Sequence, residues 1–188
     1  MQAIREYFEA ITPLSDDEWN AFSSKLSRQE FAKKSLILKE GKTEGYLSFI
    51  EEGIARFFLS KKEEELTFDF AFAGEFLSGY RSFITQSPAN FNVQALAKTT
   101  LWRISYQDLQ TIYATTSVGN RIGRYAAEQL FLTKARREMD FLTQSAEERY
   151  LNLFTEQPRL IQQIPGRYLA SYIGITPQAL SRIRKRIY

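Results

Sequence analysis

Gln178, Ser181, Arg182 and Lys185 follow one another at steps of three, one and three near the end of the chain. On a helix that spacing puts all four on one side. Together these residue types suit one kind of chemistry, the reading of base edges in a DNA groove. Arginine makes two parallel bonds to guanine, glutamine pairs with adenine, and a serine hydroxyl serves either. Pro177, at the tip of the same helix, offers an apolar contact to a thymine methyl group. Tyr168, Thr176, Arg184, Lys185 and Arg186 are better placed for phosphates, which set affinity and register more than sequence. For Arg184 and Arg186 the alternative is that they only solubilise the terminus.

Other chemistries are excluded by composition. The 188 residues contain neither cysteine nor histidine. Disulfides, thiolate nucleophiles, zinc and iron–sulfur ligation, imidazole-ligated haem and histidine general bases are therefore all ruled out. No metal site and no catalytic residue is assigned. An enzyme built on carboxylates and lysines remains as a rival, although no convergent acid–base pair or glycine-rich phosphate loop stands out.

Charge is distributed unevenly. From Gln157 onward there are six basic residues (Arg159, Arg167, Arg182, Arg184, Lys185 and Arg186) and no acidic one. The overall net charge is only +3, so the remainder of the chain is mildly acidic. A basic end on an acidic body is the electrostatic footprint of a polyanion-binding segment. A solvated basic helix face is the plainer alternative.

The elements that must hold the basic face are legible from Gly166 to Lys185. A helix-turn-helix needs two short helices crossing steeply over a short turn. Leu169, Ile173, Ile175, Leu180 and Ile183 fall where side chains face the shared core, with Ala170 at the close crossing. Gly174 falls at the turn, where positive φ is needed. Thr176 is a good N-cap, and Pro177 suits the first helical position. Leu180, Ile183 and Ile187 point inward, opposite Gln178 and Arg182.

Upstream the hydrophobic period changes twice. Two helices open the chain, the second announced by the capping box Ser15-Asp16-Asp17-Glu18 and carrying Trp19, Phe22 and Leu26 as its apolar stripe. Short β-prone runs follow at 35–38, 46–50, 54–59, 66–72, 93–96 and 100–104. Turn signals at Glu40-Gly41, Glu52-Gly53, 61–65 and Ala73-Gly74 separate them, the pattern of a small β-roll. A short helix over 107–113 leads to a long one over 118–142, on which Ile122, Tyr125, Gln129, Leu132, Ala135 and Met139 recur at steps of three and four. This heptad-like stripe reads as a dimer seam, with Leu130 and Phe131 off it and available to the roll. A single amphipathic surface helix is the alternative. Ser145-Ala146-Glu147-Glu148 is a second capping box, starting a helix that stops before Pro158.

A β-roll, a long helix and a C-terminal helix-turn-helix, together with Phe72-Ala73-Gly74-Glu75-Phe76 and Trp102-Arg103-Ile104-Ser105, resemble the Crp–Fnr superfamily of bacterial regulators over essentially the whole chain. The resemblance implies a cyclic-nucleotide-binding-type roll and a first DNA-reading helix beginning near Pro165. It also implies base-reading roles for Gln178 and Arg182. Its implied partners are double-stranded DNA, a second copy of the chain, RNA polymerase and a small-molecule effector. Gly74, Glu75, Arg81 and Asn90 are the ligand-site candidates. The family's phosphate cassette reads Gly-Glu-Leu and later Arg-Ser-Ala; here Gly74-Glu75-Phe76 keeps the first part, whereas Ala89-Asn90-Phe91 takes the place of the second. The phosphate-pairing arginine is thus absent, which speaks against a cyclic nucleotide cofactor unless Arg81 or Lys98 folds toward the pocket. Gly74 and Glu75 also have a purely structural reading, as a turn and its cap. The sequence ends directly after the recognition helix, leaving no room for the β-hairpin wing that often follows.

The expected architecture is α+β. N-terminal helices and a jelly-roll-like effector domain occupy 1–116, a linking and dimerisation helix 117–143, and the helix-turn-helix domain 144–188. The expected function is a homodimeric, sequence-specific transcription regulator. The rival from another class is an effector-binding or scaffold protein whose helical hairpin contacts a protein. No apolar run approaches the ~18 residues of a membrane span. Arg5, Glu6 and Glu9 interrupt the N-terminus where a signal peptide would need an apolar run, so a cytoplasmic location is expected.

Overall fold

The computed structural model describes residues 1–62 and 64–187. Glu63, in the expected turn over 61–65, and the terminal Tyr188 lie outside the described residues. The chain begins with helices α1 (Gln2–Glu9) and α2 (Asp16–Ser23). The Ser15 capping box forms as expected: the Glu18 amide donates to Ser15 Oγ, and the Ser15 amide donates back to the Glu18 carboxylate. Such a cap stabilises a helix start by about 1 kcal/mol. The helix stops before Leu26, which packs on the core from outside it.

Among the described residues eight strands follow: β1 (Ser27–Phe31), β2 (Leu36–Leu38), β3 (Tyr46–Glu52), β4 (Ile54–Ser60), β5 (Glu65–Phe72), β6 (Phe76–Leu77), β7 (Asn92–Ala95) and β8 (Thr99–Ser105). They form two four-stranded sheets, ordered β1-β8-β3-β6 and β2-β7-β4-β5. The six expected strands are all present. β1 carries no alternating pattern (Ser27, Arg28, Gln29, Glu30, Phe31) and is formed by its antiparallel ladder with β8, Ser27 opposite Arg103 through Phe31 opposite Thr99. Helix α3 (Tyr80–Thr85) lies between β6 and β7, too short for a helical period to register.

Helices α4 (Tyr106–Thr115) and α5 (Ser117–Thr143) come next. Ile4, Phe8, Phe22, Phe49, Phe83, Ile104, Leu109, Ile112, Val118 and Ile122 share one core, with the Phe8 and Phe22 rings 4.8 Å apart. Gly123 lets α5 lie close to α4, because a Cβ there would come 2.7 Å from the Tyr113 hydroxyl and 2.8–2.9 Å from its ring.

The chain closes with α6 (Ala146–Glu156), α7 (Pro158–Gln163), α8 (Gly166–Ile173) and α9 (Pro177–Ile187). The second capping box, Ser145 with Glu148, also forms. After the single residue Gln157 a further helix starts with proline at its first position, where the missing N–H costs nothing. Two compact units result: Met1–Phe57 with Phe70–Glu128, and Phe58–Asp69 with residue 129 onward. Among the described residues no helix is long and apolar enough to cross a membrane, and no cluster of acidic side chains could hold a metal ion.

Candidate nucleic-acid interface

The helix pair α8 and α9 is built around a small apolar core. Leu169, Ala170, Ile173, Leu180 and Ile183 are buried, and Ile175 and Ile187 are half-buried. Gly174 takes φ of +81°. The Ile175 amide donates to the Ala170 carbonyl at 2.9 Å and the Gly174 amide to Ser171 at 3.1 Å, which closes α8 in a Schellman turn. Thr176 Oγ1 then accepts the Ala179 amide at 3.2 Å and caps α9, with Pro177 at its first position.

The turn is also held from outside the helix pair by residues that sequence reasoning missed. Arg149 donates through Nε and Nη2 to the Ile173 carbonyl at 3.2 and 2.9 Å, and through Nη1 to Gln144 at 2.6 Å. Its guanidinium stacks on Phe141, whose ring edge lies 2.9 Å from where a Cβ on Gly174 would stand. Arg137 sits 3.8 Å over the Tyr172 ring and donates to the Tyr172 carbonyl. Carbonyls at a helix C-terminus lack partners within the helix and carry partial negative charge, so cations suit them. No pattern could have shown this, because the α8 carbonyls that the two arginines reach are main-chain groups 24 and 35 residues away in sequence. Tyr172 itself is buried, and burial pushes its phenol above the usual tyrosine range.

On the opposite side of α9, Thr176, Pro177, Gln178, Ser181, Arg182 and Lys185 are exposed. Among the described residues, none hydrogen-bonds to or pairs with the side chains of Gln178, Ser181, Arg182 or Lys185. The other phosphate candidates are placed differently. Arg184 is half-buried and donates to the Tyr150 hydroxyl at 2.9 Å, and Arg186 pairs with Glu147 at 2.6 Å. Both are therefore tied back to α6. Tyr168 is half-buried beneath Arg167, which lies 4.5 Å over its ring.

Helix α5 carries a broad exposed apolar stripe, but rotated from the expected seam. Ile122 leaves it: at 9% exposure it belongs to the core with Ile112 and Val118, because the start of α5 packs on α4. Phe131, expected on the roll, is 70% exposed, and Leu142 is 74% exposed. Tyr125, Leu132 and Met139 follow at seven-residue steps, flanked by the exposed Phe131 and Leu142 and by half-buried Ala135. At 100° per residue these six cover about 120° of the helix surface. Gln129 is exposed beside the stripe.

In the roll, the cassette residues bond to nearby groups of the roll itself. Gly74, with φ of +89°, donates to the Ile50 carbonyl, and the Glu75 carboxylate accepts the Phe72 amide at 2.9 Å. Ala89 is buried, donating to Lys42 and accepting from Gly41. Arg81 and Asn90 are exposed. Lys98 pairs with Glu30 at 2.9 Å, so it does not supply the missing cation. Unforeseen is the buried Glu44, whose carboxylate accepts the Tyr46 and Gly79 amides and faces Arg103 at 3.7 Å. Burial raises Glu44 above the usual carboxylate range and lowers Arg103, and their mutual attraction opposes both shifts.

Residues 28–116 match the family described as the cyclic nucleotide-binding domain. No curated protein matches the sequence. Among solved structures, FixK2 from Bradyrhizobium japonicum superposes with a TM-score of 0.71 at 17% identity, covering 86% of this chain and 84% of its own. The regulator CLP of Xanthomonas campestris gives 0.69 at 17% identity, covering 92% and 91%. A CooA mutant from Carboxydothermus hydrogenoformans gives 0.70 at 14% identity, covering 88% and 78%. The chain therefore has the fold of these three proteins.

Proposed function

We propose that this chain, with a cyclic nucleotide-binding-type domain at 28–116 and the fold of Crp/Fnr-family regulators, is a sequence-specific DNA-binding transcription regulator acting as a homodimer. The observation that carries the reading is α9, anchored on its inner face by Leu180 and Ile183 while Gln178, Ser181, Arg182 and Lys185 stay exposed and uncommitted. Arg182 and Gln178 read bases, Pro177 and Ser181 fill the groove beside them, and Lys185, Thr176 and Tyr168 meet phosphates. The exposed stripe on α5 pairs with its copy, and a two-fold axis sets two α9 helices on half-sites about one DNA turn apart. The roll receives an input that reaches α9. CLP is described as responsive to cyclic di-GMP, so the fold accommodates effectors other than a simple cyclic mononucleotide. Selection from a random-sequence duplex pool is the test. Enrichment of a two-fold symmetric site with half-sites near ten base pairs apart is the expected result, and failure to retain any duplex would overturn the reading.

A further inference from the structure

Strand β5 is an edge of its sheet, and its outer part belongs to the same compact unit as the helix pair. An edge strand presents main-chain donors and acceptors that need partners. Here one side chain supplies both. The Thr67 amide donates to Ser171 Oγ at 2.8 Å, and Ser171 Oγ in turn donates to the Glu65 carbonyl at 3.4 Å. Glu65 and Thr67 are alternate residues, whose main-chain groups point to the same side of a strand, so a single hydroxyl stands in for a neighbouring strand. Thr67 is 1% exposed, which keeps water from competing for its amide. Two residues further along, Asp69 forms an ion pair with Lys134 of α5.

We infer that Ser171 is a positioning residue for DNA recognition, clasping α8 to the β4–β5 hairpin so that the hairpin, as well as α5, sets the pose of α9. The inference rests on the DNA-binding reading. Ser171 lies on α8 and outside the face of α9 that meets bases, so it acts through the helix crossing. β4 and β5 each run from one compact unit into the other, and their outer residues form the clasped segment.

The test uses the full chain and its selected operator. Ser171→Ala removes both bonds, whereas Ser171→Thr keeps a hydroxyl at the same site. Loss of two ordinary hydrogen bonds leaves the competent pose about tenfold less favoured, and apparent affinity falls with it. The expected results for Ser171→Ala are faster hydrogen exchange at the Thr67 amide and operator affinity about tenfold lower. Binding to unrelated DNA and the circular dichroism spectrum stay unchanged, and Ser171→Thr restores operator affinity. Unchanged operator affinity despite an exposed Thr67 amide would reduce the clasp to a structural contact and overturn the inference. Fast exchange at Thr67 in the wild type would show that no clasp forms. Should the wild type bind no duplex at all, the positioning role falls with the proposed function, while the exchange data still report whether the contact exists.

Discussion

The exposed face of α9 and the cassette of the roll treat their polar groups in opposite ways. On α9, Gln178, Ser181, Arg182 and Lys185 reach no partner among the described residues. In the cassette, Gly74, Glu75, Gly79 and Ala89 each spend a donor or acceptor on a neighbour: Ile50, Phe72, Glu44, and Lys42 with Gly41. Partners matter because an anion drawn out of water must be repaid with donors. A surface that waits for an external polyanion keeps its donors exposed and unspent. A cassette that has spent them inward, on its own carboxylates and carbonyls, has less to offer a ligand phosphate. The difference separates a face with uncommitted donors from one whose donors are already bonded within the fold.

The comparison breaks most visibly at the dimer. On the proposed reading a single α9 covers one half-site, and joining two adds avidity of about a hundredfold to ten-thousandfold. Leu132 lies at the middle of the exposed stripe, 58% exposed, between Tyr125 and Met139. Leu132→Glu sets like charges across a two-fold seam. The variant is expected to sediment as a monomer and to bind operator at least about a hundredfold more weakly. A wild-type chain that sediments as a monomer at micromolar concentration removes the seam, and α9 would then act alone.

The roll's side of the comparison is tested by titration with cyclic AMP and cyclic GMP. An arginine fork on a phosphate makes two charge-assisted bonds, and its loss weakens binding on the order of a hundredfold. Ala89 stands where that fork is expected, and the nearby Gly79 amide is already bonded to Glu44. No binding at micromolar or tighter affinity is expected by calorimetry for either nucleotide. Tight binding of one of them would show that the inward bonds yield, and Arg81, exposed beside the cassette, would be the first residue to replace.

How far the sequence carried each region follows from where the partners lie. The helix pair was legible because its determinants are local: Ala170, Gly174, Thr176 and Pro177 sit within eight residues and fix the crossing, the turn and the cap. The six patterned strands were legible for the same reason. β1 was not, since its ladder is made with β8 some seventy residues away. The exposed stripe on α5 differs from the expected one at Ile122, because periodicity ranks Ile122 with Leu132 and only the packing of α4 separates them. Arg149, Glu44 and Ser171 stayed hidden because their partners include main-chain groups distant in sequence.

The smallest and most discriminating effects lie within the α9 face itself, where Arg182 and Lys185 are both exposed and both cationic. They stand three residues apart, so charge alone does not distinguish them; their depth in the groove does. Arg182 lies nearer the N-terminal end of α9, the end a recognition helix turns to base edges. Its planar fork suits guanine. Arg182→Ala is expected to cost about 1–3 kcal/mol on the preferred site, roughly ten- to a hundredfold, and to relax preference at one position. Lys185 lies a turn further out, where a flexible point charge meets phosphate. Lys185→Ala is expected to weaken binding a few-fold on every sequence and to lower the slope of log affinity against log salt by about 0.9 for each half-site, about 1.8 for the dimer. Anisotropy measured on the operator, on single-base variants and on unrelated duplex, each over a range of salt, separates the two. Should Arg182→Ala lower affinity equally for every sequence, base reading would pass from Arg182 to another residue of the face, with Gln178 the next to examine.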